Sequence, residues 1–437
     1  MRSYWETPEG RAHQRTSRAL RRGRVLVNQE PAQKGRPGNR SAGEFQSEVR
    51  EQLRGFGAWP RPRAALALDV AFTTSRKQPP QIEKLAKHYL DLLGARPRKD
   101  RSVGPLFKDD RQVKLLHVTC QHAWDPDQPK AEPSIFIRSE TRADALAEMS
   151  LAGEVVRRQH NDRLGWTDED RLERDEVAEE QSLELADRWA TSPNPRERQT
   201  AALLRSFVMR DRQERFLKGN DAWLTDVFIH HGHQLLNGAD PRQRELAKLA
   251  ARLGDEALLP ALVETPRAAL LHTMTSIELP PLPVEPGDYR AFRDGVAAAC
   301  RDYISRRPGL QPLLVPLRVT LLVVPPAQGK DLDNILLDVL PAVNEHLRPH
   351  LEPWLLDAGA GPLEEGLADR LLDWRIKGLR RLRSLVRYSV WSAQVLELHR
   401  APDDPEEGIL AMVLGHGLNL DSIWVEAERY LDENVSP

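Results

Sequence analysis

The chain has 437 residues, 40% hydrophobic and 29% charged, a formal net charge of -2 and two cysteines, Cys120 and Cys300. That length allows two or three domains, while the composition excludes a disulfide framework, a cysteine zinc site and a protein that coats nucleic acid over its whole surface. No apolar run approaches the ~18 residues of a membrane span and no apolar leader opens the chain, so a soluble, cytoplasmic protein is expected.

In chain order, residues 1–24 carry Arg11, Arg15, Arg18, Arg21, Arg22 and Arg24 and read as a mobile basic arm, followed by a short strand at Val25-Leu26-Val27. Apolar spacing at Phe45, Val49 and Leu53 predicts a helix over 45–56; alternation predicts a strand over 64–72; a helix over 82–93 and strands near 108–118 and 134–138 complete a first α/β unit, 25–140. The pattern then turns helical through 141–274, with helices expected over 143–159, 171–189, 195–216, 221–236, 241–253 and 256–271. His230, His231 and His233 lie there, but their spacing matches no zinc motif and they read as surface or core histidines. A Pro-rich linker, 275–286, leads to a second α/β unit, 287–437: a helix over 289–303, a strand over 313–324, a helix over 335–347 and strands over 388–398 and 409–414. The expected fold is thus α/β flanks, each a small mixed sheet with helices on one side, around an all-α insert.

The stretch Lys330-Asp331-Leu332-Asp333-Asn334-Ile335 follows the apolar run at Val319 to Val324. Asp331 and Asp333 leave extended backbone on one side, and Asn334 is placed to cap a helix starting at Ile335. Two carboxylates at a strand-to-helix turn suit Mg2+, which takes oxygen ligands and keeps positions for water and phosphate. The bland alternative is an ordinary capped turn. Far upstream, Asp109 and Asp110 open a strand, where a plain turn is again the alternative. Asp338, on the next helix, reads as a surface residue.

Aligned without gaps through the central helix, the two units set Gln81-Ile82-Glu83-Lys84 against Asp331-Leu332-Asp333-Asn334, and Lys87 against Leu337. Downstream, Asp109-Asp110-Arg111-Gln112-Val113 faces Trp391-Ser392-Ala393-Gln394-Val395, the second unit holding a longer segment between these points.

These residues resemble the RusA-like Holliday junction resolvases, whose pattern is D-x-D-N, a lysine three residues after the Asn, a helix, and D-D-x-Q-[VI] opening a strand. Asp331-Leu332-Asp333-Asn334 matches the first part, Asp109-Asp110-Arg111-Gln112-Val113 the last, and Lys87 falls on the lysine; the run from Asn28 to Pro37 is similar to the family's basic entry. The resemblance covers both flanks and not the insert. It implies two diverged RusA-like units in one chain forming a pseudo-dimer, and Mg2+-dependent (or Mn2+-dependent) cleavage of branched DNA, with Asp331, Asp333 and Asp110 as metal ligands, Asp109 assisting and Lys87 on phosphate charge.

If acids are drawn from both units, Asp331 and Asp333 would join Asp109 and Asp110 in one composite site; if each unit builds its own, neither is complete. Lys34, Arg36, Arg375, Lys377, Arg380, Arg381, Arg383 and Arg387 are the candidate phosphate contacts, although the latter group, interleaved with Leu372, Ile376, Leu379, Leu382 and Val386, reads equally as a solvated helix face. Trp374 and Trp391 read as core aromatics. The functions in view are a structure-selective endonuclease with one good site, a catalytically inactive branched-DNA-binding or protein-interaction module, and, ranked last, an active helical insert. The expected partner is branched or structured DNA, with a homodimer possible and no small-molecule cofactor or membrane.

Overall fold

The computed structural model describes residues 7–34, 42–56, 59–61, 63–76, 79–94, 104–122, 132–162, 169–238, 267, 270–271, 275–283, 289–326, 331–348, 389–402 and 404–435. The elements are α1 (Pro8–Arg21), β1 (Gly23–Val27), α2 (Ala42–Leu53), β2 (Leu66–Thr74), α3 (Ile82–Leu93), β3 (Val113–His122), β4 (Ser134–Thr141), α4 (Arg142–Asp162), α5 (Glu169–Ala190) and α6 (Pro195–Asn237). After them come β5 (Ser276–Leu279), α7 (Tyr289–Ser305), β6 (Leu317–Val324), α8 (Leu332–His346), β7 (Val390–Glu397), β8 (Ile409–His416) and α9 (Ile423–Val435).

Among the described residues, eight strands form one mixed sheet, in the order β1-β4-β2-β3-β7-β6-β8-β5. Counted inward from its own edge, each half has its first, fourth, second and third strands in that order. The pairs β2–β3 and β6–β7 are parallel, the others antiparallel. The halves meet at the antiparallel pair β3–β7, where His117 lies opposite Gln394, flanked by Leu115–Leu396 on one side and Thr119–Ser392 on the other.

β6 shows why these segments become strands. Leu317, Val319, Leu321 and Val323 join one core, and Leu322 and Val324 join the other, so its near-continuous apolar sequence suits a strand covered on both faces. One face is covered by α2, α3, α7 and α8, through residues such as Val49, Leu85, Val296 and Leu336. The other is covered by α4, α6 and α9, through Met149, Phe228 and Trp424. Helices therefore lie on both sides of the sheet and not on one. Two helices of the expected separate insert, α4 and α6, form much of the second layer, because the apolar faces of β2, β3, β6, β7 and β8 there need cover.

Four other expectations change. Residues 8–21, read as part of a mobile arm, form α1, whose arginines are neutralised in place: Arg15 and Arg18 pair with Glu148 at 3.2 and 2.7 Å, Arg21 with Asp144 at 2.9 Å and Arg11 with Glu154 at 3.0 Å. The helices expected over 195–216 and 221–236 are one helix, α6, which continues through Gly219 while Asn220 donates to the Leu414 carbonyl at 2.8 Å. Residues 276–279 of the expected linker pair as an edge strand with β8. Finally, Leu66 pairs with Val113 and Leu317 with Val390, each just before a register shift, so Val113 corresponds to Val390 and not to Val395. Apolar runs fix which residues are buried but carry little information on register. The helices expected over 241–253 and, for the most part, 256–271 lie outside the described residues. Among the described residues no helix is long and apolar enough to cross a membrane, and Cys120 and Cys300 are buried and free.

Candidate metal centre

Two turns bring the acids together across the junction of the halves. On the first-half side, Asp109 caps the single turn Asp110–Gln112 ahead of β3, its Oδ1 accepting from the Arg111 amide at 3.0 Å. Gln112 holds that turn in place: Oε1 accepts from the Lys108 and Asp109 amides, and Nε2 donates to the Arg61 and Ala64 carbonyls, all at 2.9–3.1 Å.

On the second-half side, α8 begins at Leu332, three residues earlier than expected, with Asp331 rather than Asn334 at the N-cap. The Asp331 side chain accepts no helix amide, and its Oδ1 has no hydrogen-bond donor, the nearest cation being Arg111 Nε at 3.5 Å. Asp333, in the first turn, is fully buried; Oδ2 accepts from Lys87 Nζ at 3.1 Å, whereas Oδ1 has no donor.

Among the described residues, two groups of three acids could each hold a metal ion: Asp109, Asp110 and Asp331, and Asp91, Asp110 and Asp333, their ligand atoms lying within 4.8 Å of one another in each. Asp110 belongs to both. The expected set of Asp331, Asp333 and Asp110 is thereby divided between two adjoining groups, and Asp91 joins them. Asp91 was missed by sequence reasoning, although it follows Lys87 by four residues and so shares its face of α3. The oxygen-only donor set and the donorless Asp331 Oδ1 fit Mg2+ or Mn2+.

The crowding of acids is reflected in their protonation. Burial, with Asp331 and Asp333 nearby, pushes the Asp110 carboxyl up to about 6. Burial also raises Asp333 above the ordinary aspartate value, against the lowering effect of Lys87. Lys87 is held above the ordinary lysine value: desolvation alone would lower it, but Asp333, Asp91 and Asp110 outweigh that.

Beside Asp331 opens a cleft of about 540 Å3 lined by Arg111, Tyr289, Arg293, Asn334, Leu337 and Asp338. Arg111 and Arg293 are more than half exposed, so two largely solvated guanidinium groups border the carboxylates. Neither was singled out from the sequence, where nothing brings residue 293 near 331. Asp338, expected at the surface, is buried and lines this cleft, 3.8 Å from Arg293. Lys34 is 82% exposed and lies 3.7 Å from Asp91. Arg36, Arg375, Lys377, Arg380, Arg381, Arg383 and Arg387, like Trp374, lie outside the described residues. Trp391 is half-buried and joins neither core, so it is not the core aromatic expected from the sequence.

Glu83, the first-half counterpart of Asp333, belongs to neither group. It is fully buried, both carboxylate oxygens lack donors, and burial pushes its carboxyl up to about 7. Of the three histidines on α6, His230 bonds back to Asp226 and none joins a metal-ligating group among the described residues. A different constellation has the hydrogen-bond order of a nucleophilic triad: Ser392 Oγ to His117 Nε2 at 3.1 Å and His117 Nδ1 to Asp69 Oδ1 at 3.0 Å. Ser392 is fully buried, and Asp69 also accepts from the buried Trp424 indole at 2.9 Å. The arrangement satisfies polar groups inside the second core and offers no substrate a path. Comparison with known proteins finds no family model, no curated protein and no solved structure that matches this chain.

Proposed function

We propose that the chain is a Mg2+-dependent, structure-selective endonuclease acting on branched DNA, built as two RusA-like units fused into a pseudo-dimer that share one composite active site. The observation that carries this reading is the meeting of Asp331 and Asp333 from the second half with Asp109, Asp110 and Lys87 from the first. Each half alone holds an incomplete set. The equivalent strand order of the two halves and the antiparallel junction centred on His117 and Gln394 support the pseudo-dimer.

A bound Mg2+ would polarise a phosphoryl oxygen and acidify an attacking water. Asp109, Asp110 and Asp331 would hold the ion. Lys87 sets a fixed positive charge beside it, in a position to stabilise charge on the phosphate. Arg111 and Arg293, released from Asp331 and Asp338, can turn to the DNA backbone along the cleft, and the exposed Lys34 beside Asp91 can do so as well; such contacts set orientation without reading sequence. Both acidic groups share Asp110, so they amount to one centre, and one centre makes one incision per encounter. A nicking activity follows, unlike the paired cuts that resolve a symmetric junction.

The test is cleavage of labelled four-way, flap and linear DNA by the wild type, Asp331→Asn and Asp110→Asn. Equal losses of about a hundredfold or more in both variants, on a substrate the wild type nicks, are expected of a single shared site. Binding of branched DNA with no cleavage in Mg2+ or Mn2+ would replace this reading with the inactive DNA-binding module.

A further inference from the structure

We infer that the Asp91–Asp110–Asp333 group is the seat of a built-in cation, the Lys87 ammonium, so that the composite centre takes one divalent ion and not two. This rests on the metal-dependent reading above and specifies the number of metals. Two overlapping triplets of carboxylates that share one aspartate would ordinarily suggest a two-metal site, with the shared acid as bridge. Here the second position is filled from within the chain. Lys87 Nζ lies 3.1 Å from Asp333, 3.4 Å from Asp91 and 3.9 Å from Asp110, which are the three members of that group.

The placement follows from the fold. Lys87 and Asp91 are four residues apart on α3, so the ammonium and one carboxylate share a helix face. The other two carboxylates come from the turn before β3 and the start of α8. Asp333 is fully buried, and Lys87 is the cation that compensates it; a divalent ion at the same place would have to displace the ammonium and leave it charged in a half-buried setting. The Asp109–Asp110–Asp331 group has no such occupant. Its nearest cation, Arg111, lies 3.5 Å from Asp331 on a side chain 68% exposed, whereas the Lys87 side chain is half-buried.

The inference is tested by counting Mn2+ bound to the full-length chain without DNA, by electron paramagnetic resonance of the free ion. The wild type should bind one Mn2+, Lys87→Ala two, and Lys87→Ala combined with Asp91→Asn one again. Asp91→Asn alone should still bind one, because Asp91 serves the lysine and not the metal. Two ions on the wild type would overturn the inference and leave the metal-dependent reading standing, whereas none would overturn that reading and the inference with it. A single ion on a folded Lys87→Ala, checked by circular dichroism, would also overturn it. If that variant does not fold, Asp91→Asn decides: an unchanged count supports the built-in cation, and loss of the ion overturns it.

Discussion

Asp110 lies at the point where both acidic groups meet, and its raised proton affinity has a direct consequence for metal binding. With the carboxyl titrating at about 6, protons compete with the ion below that pH. Mn2+ affinity, followed by calorimetry, is expected to be flat above about pH 7 and to fall by up to about tenfold per pH unit below 6; Asp110→Asn should weaken binding and remove that dependence. Glu83 gives a prediction of opposite character. Its folded-state carboxyl titrates at about 7, above the ordinary value of 4.5, so the folded state holds the proton more tightly than the unfolded one. Wild-type stability is therefore lost as pH rises from about 4.5 to 7, and stays lost above. Glu83→Gln should be nearly neutral at pH 5 and stabilising at pH 8, on the order of 1–3 kcal/mol, as read from thermal melts at the two pH values. At this scale the motif residues Asp331, Asp333, Asp109, Asp110 and Lys87 were legible from spacing, together with the resemblance they carry. Asp91, Arg111 and Arg293 were not, because their relevance comes only from the packing of α3, α7 and α8 against the β3–β7 junction.

Helix α3 could be read to the residue, since Ile82, Leu85, Ala86, Tyr89 and Leu93 make a clean apolar stripe. Helix α1 could not: what holds it is charge. Arg22 is buried with Glu140, at 2.9 Å, and Arg138 bonds Glu140 at 2.9 Å and Glu428 at 2.5 Å, joining the start of β1 to β4 and α9. Arg22→Met would leave Glu140 buried with one cation fewer and should cost about 3–5 kcal/mol, measured by chemical denaturation. If the segment were a mobile arm, removing the residues before Gly23 would leave the melting temperature unchanged; the ion pairs predict a clear drop. Helices α4 and α6 approach so closely at Gly153 that an added Cβ would lie 2.4 Å from the Ile229 carbonyl oxygen. Gly153→Ala should therefore destabilise by about 1–3 kcal/mol, because the helices must move apart at a contact that covers the sheet. Periodicity alone gave no sign of this crossing. Nor did it give the continuity of α6, where Gly219-Asn220 has the composition of a break and tertiary contact overrides it.

At the scale of the whole molecule, the sequence showed the α/β character of its two flanking regions. It did not reveal that they share one sheet, because strand pairing between units leaves no mark on the pattern of either. The continuous sheet also bears on how activity should respond to protein concentration. An enzyme whose centre forms between two separate subunits loses its working species on dilution below their dissociation constant. Here β3 and β7 belong to one polypeptide, so the encounter of the halves is intramolecular and its effective concentration is fixed by the chain. Turnover per molecule should stay constant from micromolar to sub-nanomolar enzyme, and a decline would mean that a second chain completes the centre. Under the proposed function, tethering would also free the two halves from the need to remain alike: one could keep a D-x-D-N turn and the other a D-D-x-Q turn, each relieved of the half of the chemistry its neighbour would supply.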